Sequence, residues 1–105
     1  VDKYVNFFLN KVIEENDVGA ISRHNIREDD IFSEVERQVY RFIKEHSLQN
    51  EGNAPSYAMV VTEFPDFVYV PEIRESFETL AKGVKDEKGR QLLAMTFNGG
   101  ELNEK

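Results

Sequence analysis

Apolar residues in the first segment of the chain fall at Tyr4, Val5, Phe8, Leu9, Val12 and Ile13. Their spacing of i, i+1, i+4, i+5, i+8, i+9 predicts an amphipathic helix with a wide apolar stripe. Asn16 and Asp17 offer an N-cap for a short helical stretch holding Val18, Ala20 and Ile21. Asn25 with Glu28 three residues on is a capping-box pattern ahead of a turn ending at Ile31 and Phe32. The clearest element follows. Ser33 and Glu36 make a second box, and Val35, Val39, Phe42, Ile43 and His46 recur at helical spacing, predicting a helix from about Glu34 to His46. Its opposite face has Glu34 early and Arg41 and Lys44 late, the order the helix dipole favours.

Pro55 and Ser56 suit the start of a further helix through Tyr57, Val60, Val61 and Phe64, stopped by Pro65. Residues 67–71 read either as a short strand or as extended chain lying over the core. Pro71 fits the first position of a helix carrying Ile73, Phe77, Leu80, Ala81 and Val84, with Glu72 and Glu75 in its first turn. The polar run from Lys85 to Arg90 predicts a solvated helix bridging out of the core before Leu92, Leu93, Met95 and Phe97 resume. Asn98-Gly99-Gly100 is expected to end it, leaving 98–105 as a flexible tail toward a hairpin or linker. The sum over residues 4–97 is an all-α domain, a compact orthogonal bundle of about five or six helices. Phe8, Val39, Phe42, Ile43 and Phe77 are its expected core residues. Phe7, Tyr40, Met95 and Phe97 fall off the main stripes and are candidate interface residues.

With 105 residues the chain has room for one modest core. It has no cysteine, so disulfides, thiolate nucleophiles and Cys-ligated metals are excluded, and a cytoplasmic setting is expected. The longest apolar run, Tyr57 to Val61, is far short of the ~20 residues of a membrane span. Because the sequence opens on Val1, it reads as a piece of something longer. The net charge of -7 is unevenly spread: residues 14–36 hold eight acids against Arg23 and Arg27. An acidic domain lacking a basic stripe is a poor partner for a phosphate backbone, so no direct nucleic-acid binding is expected.

Searches for chemistry find little. There is no phosphate-cradling glycine loop with Lys and Ser/Thr, and no calcium-loop pattern. His24 and His46 lie too far apart in sequence for a helical ligand pair; His24 reads as a surface turn residue and His46 as half-buried near a helix end. The pairs Asp29-Asp30 and Glu14-Glu15 point in different directions and read as caps and dipole compensation. No catalytic, cofactor-binding or metal residues are expected, and the fragment should not be an enzyme.

One stretch does look familiar. Glu28-Asp29-Asp30-Ile31-Phe32, followed by Glu36-Arg37-Gln38-Val39-Tyr40 and Phe42-Ile43, resembles the N-terminal domain of DnaB-type replicative helicases, with its acidic-aromatic turn and following helix. Phe8-Leu9 to Asp17, Ala54-Pro55 to Phe64, and Leu80 to Leu93 with Glu87-Lys88 and Arg90 are similar to further stretches of that domain in the same order. Glu36 stands where the family has His, and 65–71 has no good counterpart, which points to a phage or mobile-element version. The resemblance implies a non-catalytic helical head that self-associates into the collar of a hexameric ring and contacts primase or a helicase loader during DNA replication. ATP and magnesium would belong to a separate motor domain outside these residues. The competing class is a stand-alone acidic adaptor or inhibitor of a DNA-processing protein, using the block at 14–36.

Overall fold

The first helix, α1 (Lys3–Glu15), is buried nearly all round: Val5, Asn6 and every residue from Phe8 to Ile13 are shielded from solvent. It is the axis on which the other elements pack. The structure, a computed structural model, describes the backbone of residues 3–103 and the side chains of residues 3–95. After α1 come α2 (Gly19–Arg23), a 3-10 turn (Glu28–Asp30), α3 (Glu34–Gln49), α4 (Tyr57–Glu63) and α5 (Phe77–Asn103). The chain is all-α, and no strand occurs among the described residues. α5 and α3 both lie against α1, and the 3-10 turn bridges α3 and α5.

Asparagines close the helix ends. Asn16 and Asn25 take left-handed backbone angles, φ 52° and 53°. Their own amides and the next ones donate back into α1 (Asn16 to Ile13, Asp17 to Val12) and α2 (Asn25 to Ser22, Ile26 to Ile21). This is the Schellman closure, which asparagine tolerates better than most residues. Asn16 and Asn25 are therefore C-terminal caps, where the sequence pattern offered them as N-terminal ones; an Asn between two helical runs fits either role. Val18 precedes α2 without a side-chain cap. The reciprocal bond at the 3-10 turn comes instead from the Arg27 amide, which donates to Asp30 Oδ2 at 2.8 Å.

α3 begins where Ser33 and Glu36 predict, although the Ser33 hydroxyl makes no capping bond. α4 also starts as expected: Ser56 Oγ accepts from the Met59 amide, and Val60-Val61-Thr62 is helix. Phe8, Val39, Ile43 and Phe77 are core residues, whereas Phe42 is half-buried, its ring 5.4 Å from that of Phe64.

The expected helix start at Pro71 is not observed. Residues 68–76 form an irregular, extended strap, and α5 begins only at Phe77, with Ser76 Oγ accepting from the Thr79 amide. The reason lies in α1. Asn10, fully buried, accepts the Val70 amide on Oδ1 (2.9 Å) and donates through Nδ2 to the Val68 carbonyl (3.1 Å), which also takes a bond from Asn6 Nδ2 (2.9 Å). Lys11 Nζ reaches the Ile73 carbonyl at 3.4 Å, and Glu14 accepts the Glu72 amide at 2.9 Å. Glu72 itself sits at φ 56°, incompatible with a helix interior. Of the two readings for 67–71, the structure has the extended one.

At its far end α5 runs through Gly99 and Gly100 to Asn103 instead of stopping at Asn98. Glycine costs about 1 kcal/mol per helical position, which slows propagation without forbidding it.

Candidate functional site

Where α5 leaves the body, two lysines converge on one buried carboxylate. The Asp30 side chain is 1% exposed. Lys85 Nζ donates to its Oδ2 at 2.5 Å and to the Asn25 carbonyl at 2.7 Å. Lys88 Nζ stands 3.0 Å from Oδ1, an ion-pair contact without an aligned hydrogen bond, and 3.5 Å from Asp29 Oδ1. Burial pushes the Asp30 carboxyl up; the Lys85 hydrogen bond, the Arg27 amide and the Lys88 ammonium outweigh it and hold the group below the usual carboxylate value. The pairing of Asp30 with Lys88 in turn raises the lysine. These bonds fix the direction in which α5 departs from the 3-10 turn.

Beyond that latch the described part of the helix carries exposed apolar side chains. Phe77, Leu80, Ala81 and Val84 form the buried face of the proximal half. At 100° per residue, Lys88, Leu92 and Met95 continue the same face, while Leu93 points to the other side. Leu92 is 46% exposed, Leu93 68% and Met95 60%. A 27-residue helix is about 40 Å long, and the molecule measures 53 × 26 × 24 Å. Residues 88–95 of α5 thus form an arm whose described large apolar side chains, Leu92, Leu93 and Met95, are exposed.

The four candidate interface residues scatter. Met95 lies on this arm, and the side chain of Phe97 falls outside the described residues. Phe7 is half-buried against the core with Lys3 Nζ 5.9 Å from its ring centre. Tyr40 is a core residue whose hydroxyl donates to the Ile26 carbonyl at 2.9 Å. Leu92 and Leu93 accompany Met95 on the arm, where the apolar resumption after Arg90 places them.

His24 is half-buried, not a plain surface residue: its ring stacks on Phe77 at 6.2 Å and meets Phe8 edge-on at the same distance. His46 is half-buried near the end of α3, 6.2 Å from Phe42. Asp29 is exposed and Asp30 buried, so the acid pair divides as capping roles require. Among the described residues, no group of three or more His, Cys, Asp or Glu side chains is arranged to hold a metal ion. No described helix is long and apolar enough to cross a membrane.

Shallow clefts mark the surface of the described residues. One of about 320 Å³ lies between α2 and the end of α3, lined by Val18, Ile21 and Leu48 with Ser22, Ser47 and Lys44 as its polar groups. Another, about 430 Å³ and open, runs between Phe42 and the α4 residues Ala58, Met59, Thr62 and Glu63. No protein-family model, no curated protein and no solved structure matches the chain.

Proposed function

We propose that this chain is a non-catalytic association head of the DnaB-type replicative-helicase N-terminal class. In that role it joins copies of itself into a collar through the α5 arm and presents its body to a primase or loader. One observation carries the reading: the face of α5 that packs on α1 continues past the body as Leu92 and Met95, uncovered. An apolar stripe aimed away from its own core by a buried ionic latch is suited to pairing with another helix. The order of elements supports the same reading, with the acidic turn Glu28–Asp30 directly ahead of α3 as in the family-like stretch.

The adaptor reading rested on the acidic block at 14–36, and much of that block is spent inside the chain. Glu15 pairs with Lys11, Asp17 with Arg23, Glu28 with Arg41, Glu34 with Arg37, and Asp29 and Asp30 with Lys85 and Lys88. Reading the gene onward tests the proposal at the level of the whole protein. A Walker-type nucleotide-binding motif within a few hundred codons is the expected outcome, and a stop codon close behind Lys105 would contradict it.

A further inference from the structure

Of the acids outside the intrachain pairs, Glu36, Glu45, Glu51 and Glu78 lie on α3, the loop after it and α5, and a further group lies beside the strap. Asp66, Glu72 and Glu75 flank or lie on the strap, and with Glu14 they make no ion pair among the described residues; Arg74, exposed on the strap, makes none either. The same segment concentrates exposed apolar surface. Val68 is 55% and Tyr69 51% exposed, and Val61 stands one helical turn from Tyr57 on the strap side of α4.

The patch is built, not frayed. Tyr57 and Tyr69 meet edge to face at 4.3 Å, and the Tyr57 hydroxyl donates to the Asn10 carbonyl at 2.7 Å. Glu14 is held beside them by the Glu72 amide. Burial, with Glu14 and Tyr69 adding to it, pushes the Tyr57 hydroxyl well above its ordinary value, so the ring stays a neutral donor.

From this juxtaposition we infer that the face formed by α4 and the strap is a docking surface for a basic, apolar-bearing segment of a partner protein. Aromatic faces accept the stems and charges of Lys and Arg, and Val61 and Val68 supply the apolar floor. These carboxylates outnumber the one cation on the strap, Arg74, and so complement a cationic partner and repel an anionic one. The surface is separate from the α5 arm and does not depend on the helicase-head reading.

The test is a titration of the full chain, followed by amide correlation spectra, with a synthetic peptide of alternating Lys and Leu pairs. A peptide with Glu in place of Lys serves as the control. Shifts should concentrate in residues 57–75 with the cationic peptide alone. The double variant Asp66→Asn with Glu72→Gln should weaken binding at least tenfold, as should Val68→Ser, which leaves the tyrosine pair in place. Leu92→Ser should leave peptide binding unchanged. Shifts centred on residues 14–36, equal binding of the Glu peptide, or no shift at millimolar peptide would overturn the inference. So would a change in association state in Val68→Ser, which would make this face a contact between copies.

Discussion

Asn10 is the residue on which the strap depends. It is fully buried, and its amide serves the Val68 carbonyl, the Val70 amide and the Asn6 carbonyl together. Asn10→Ala leaves the Val70 amide without its partner and opens a small void, an expected loss of about 2–3 kcal/mol measured by denaturant unfolding. Asp30 plays the corresponding part for α5. Asp30→Asn keeps an acceptor for the Arg27 amide but removes the charge facing Lys85 and Lys88, and should cost about 2 kcal/mol at neutral pH. Its folded pKa lies below the unfolded one. The contribution is therefore complete above the unfolded value and is lost as pH falls through the folded value, below about pH 4. Unfolding midpoints of the native chain and of Asp30→Asn should accordingly converge in acid; a constant gap across that range would show that the charge is not the source of the stability.

The contact between α1 and α5 turns on one glycine. A Cβ at Gly83 would meet the Tyr4 ring at 2.4 Å, whereas at Gly89 it would meet nothing within 4 Å. Gly83→Ala should destabilise by about 1–3 kcal/mol despite its better helix propensity, because the two helices must part. Gly89→Ala should stabilise by about 0.5–1 kcal/mol. Thermal melts of the two variants, moving in opposite directions, check this. Elements set by local rules were legible in the sequence: the stripe of α1, the start of α3, and α4 with its stop before Pro65, although Ser56 caps that helix where the sequence places Pro55 and Ser56 at its first turn. The strap was not, because what holds it lies about sixty residues away, on Asn6 and Asn10. In a one-dimensional pattern those residues look like the polar face of α1. Two asparagines four apart, Asn6 between Val5 and Phe7 and Asn10 after Leu9, were the available signal. Pro71 with Glu72 and Glu75 in the first turn favoured a helix start but lacked a capping residue, since Val70 precedes it, and long-range hydrogen bonds overrode the signal.

Across the whole molecule, the charge that dominates the sequence changes place on folding. The block at 14–36 is largely paired through Lys11, Arg23, Arg37, Arg41, Lys85 and Lys88, and the acids outside these pairs include Glu14, Asp66, Glu72 and Glu75 at the strap. The candidate site was half legible: Met95 and the apolar resumption after Arg90 were visible as a pattern. That they stand clear of the body follows only from the latch at Asp30 and the length of α5. Association through this arm is the central claim. Light scattering of the chain from micromolar to millimolar concentration tests it most directly, beside a variant carrying Leu92→Ser and Met95→Ser. A dimer or larger species that grows with concentration is expected in the native chain and a monomer in the variant. A native chain that stays monomeric at millimolar concentration, or a variant that associates as well as the native chain does, would contradict it.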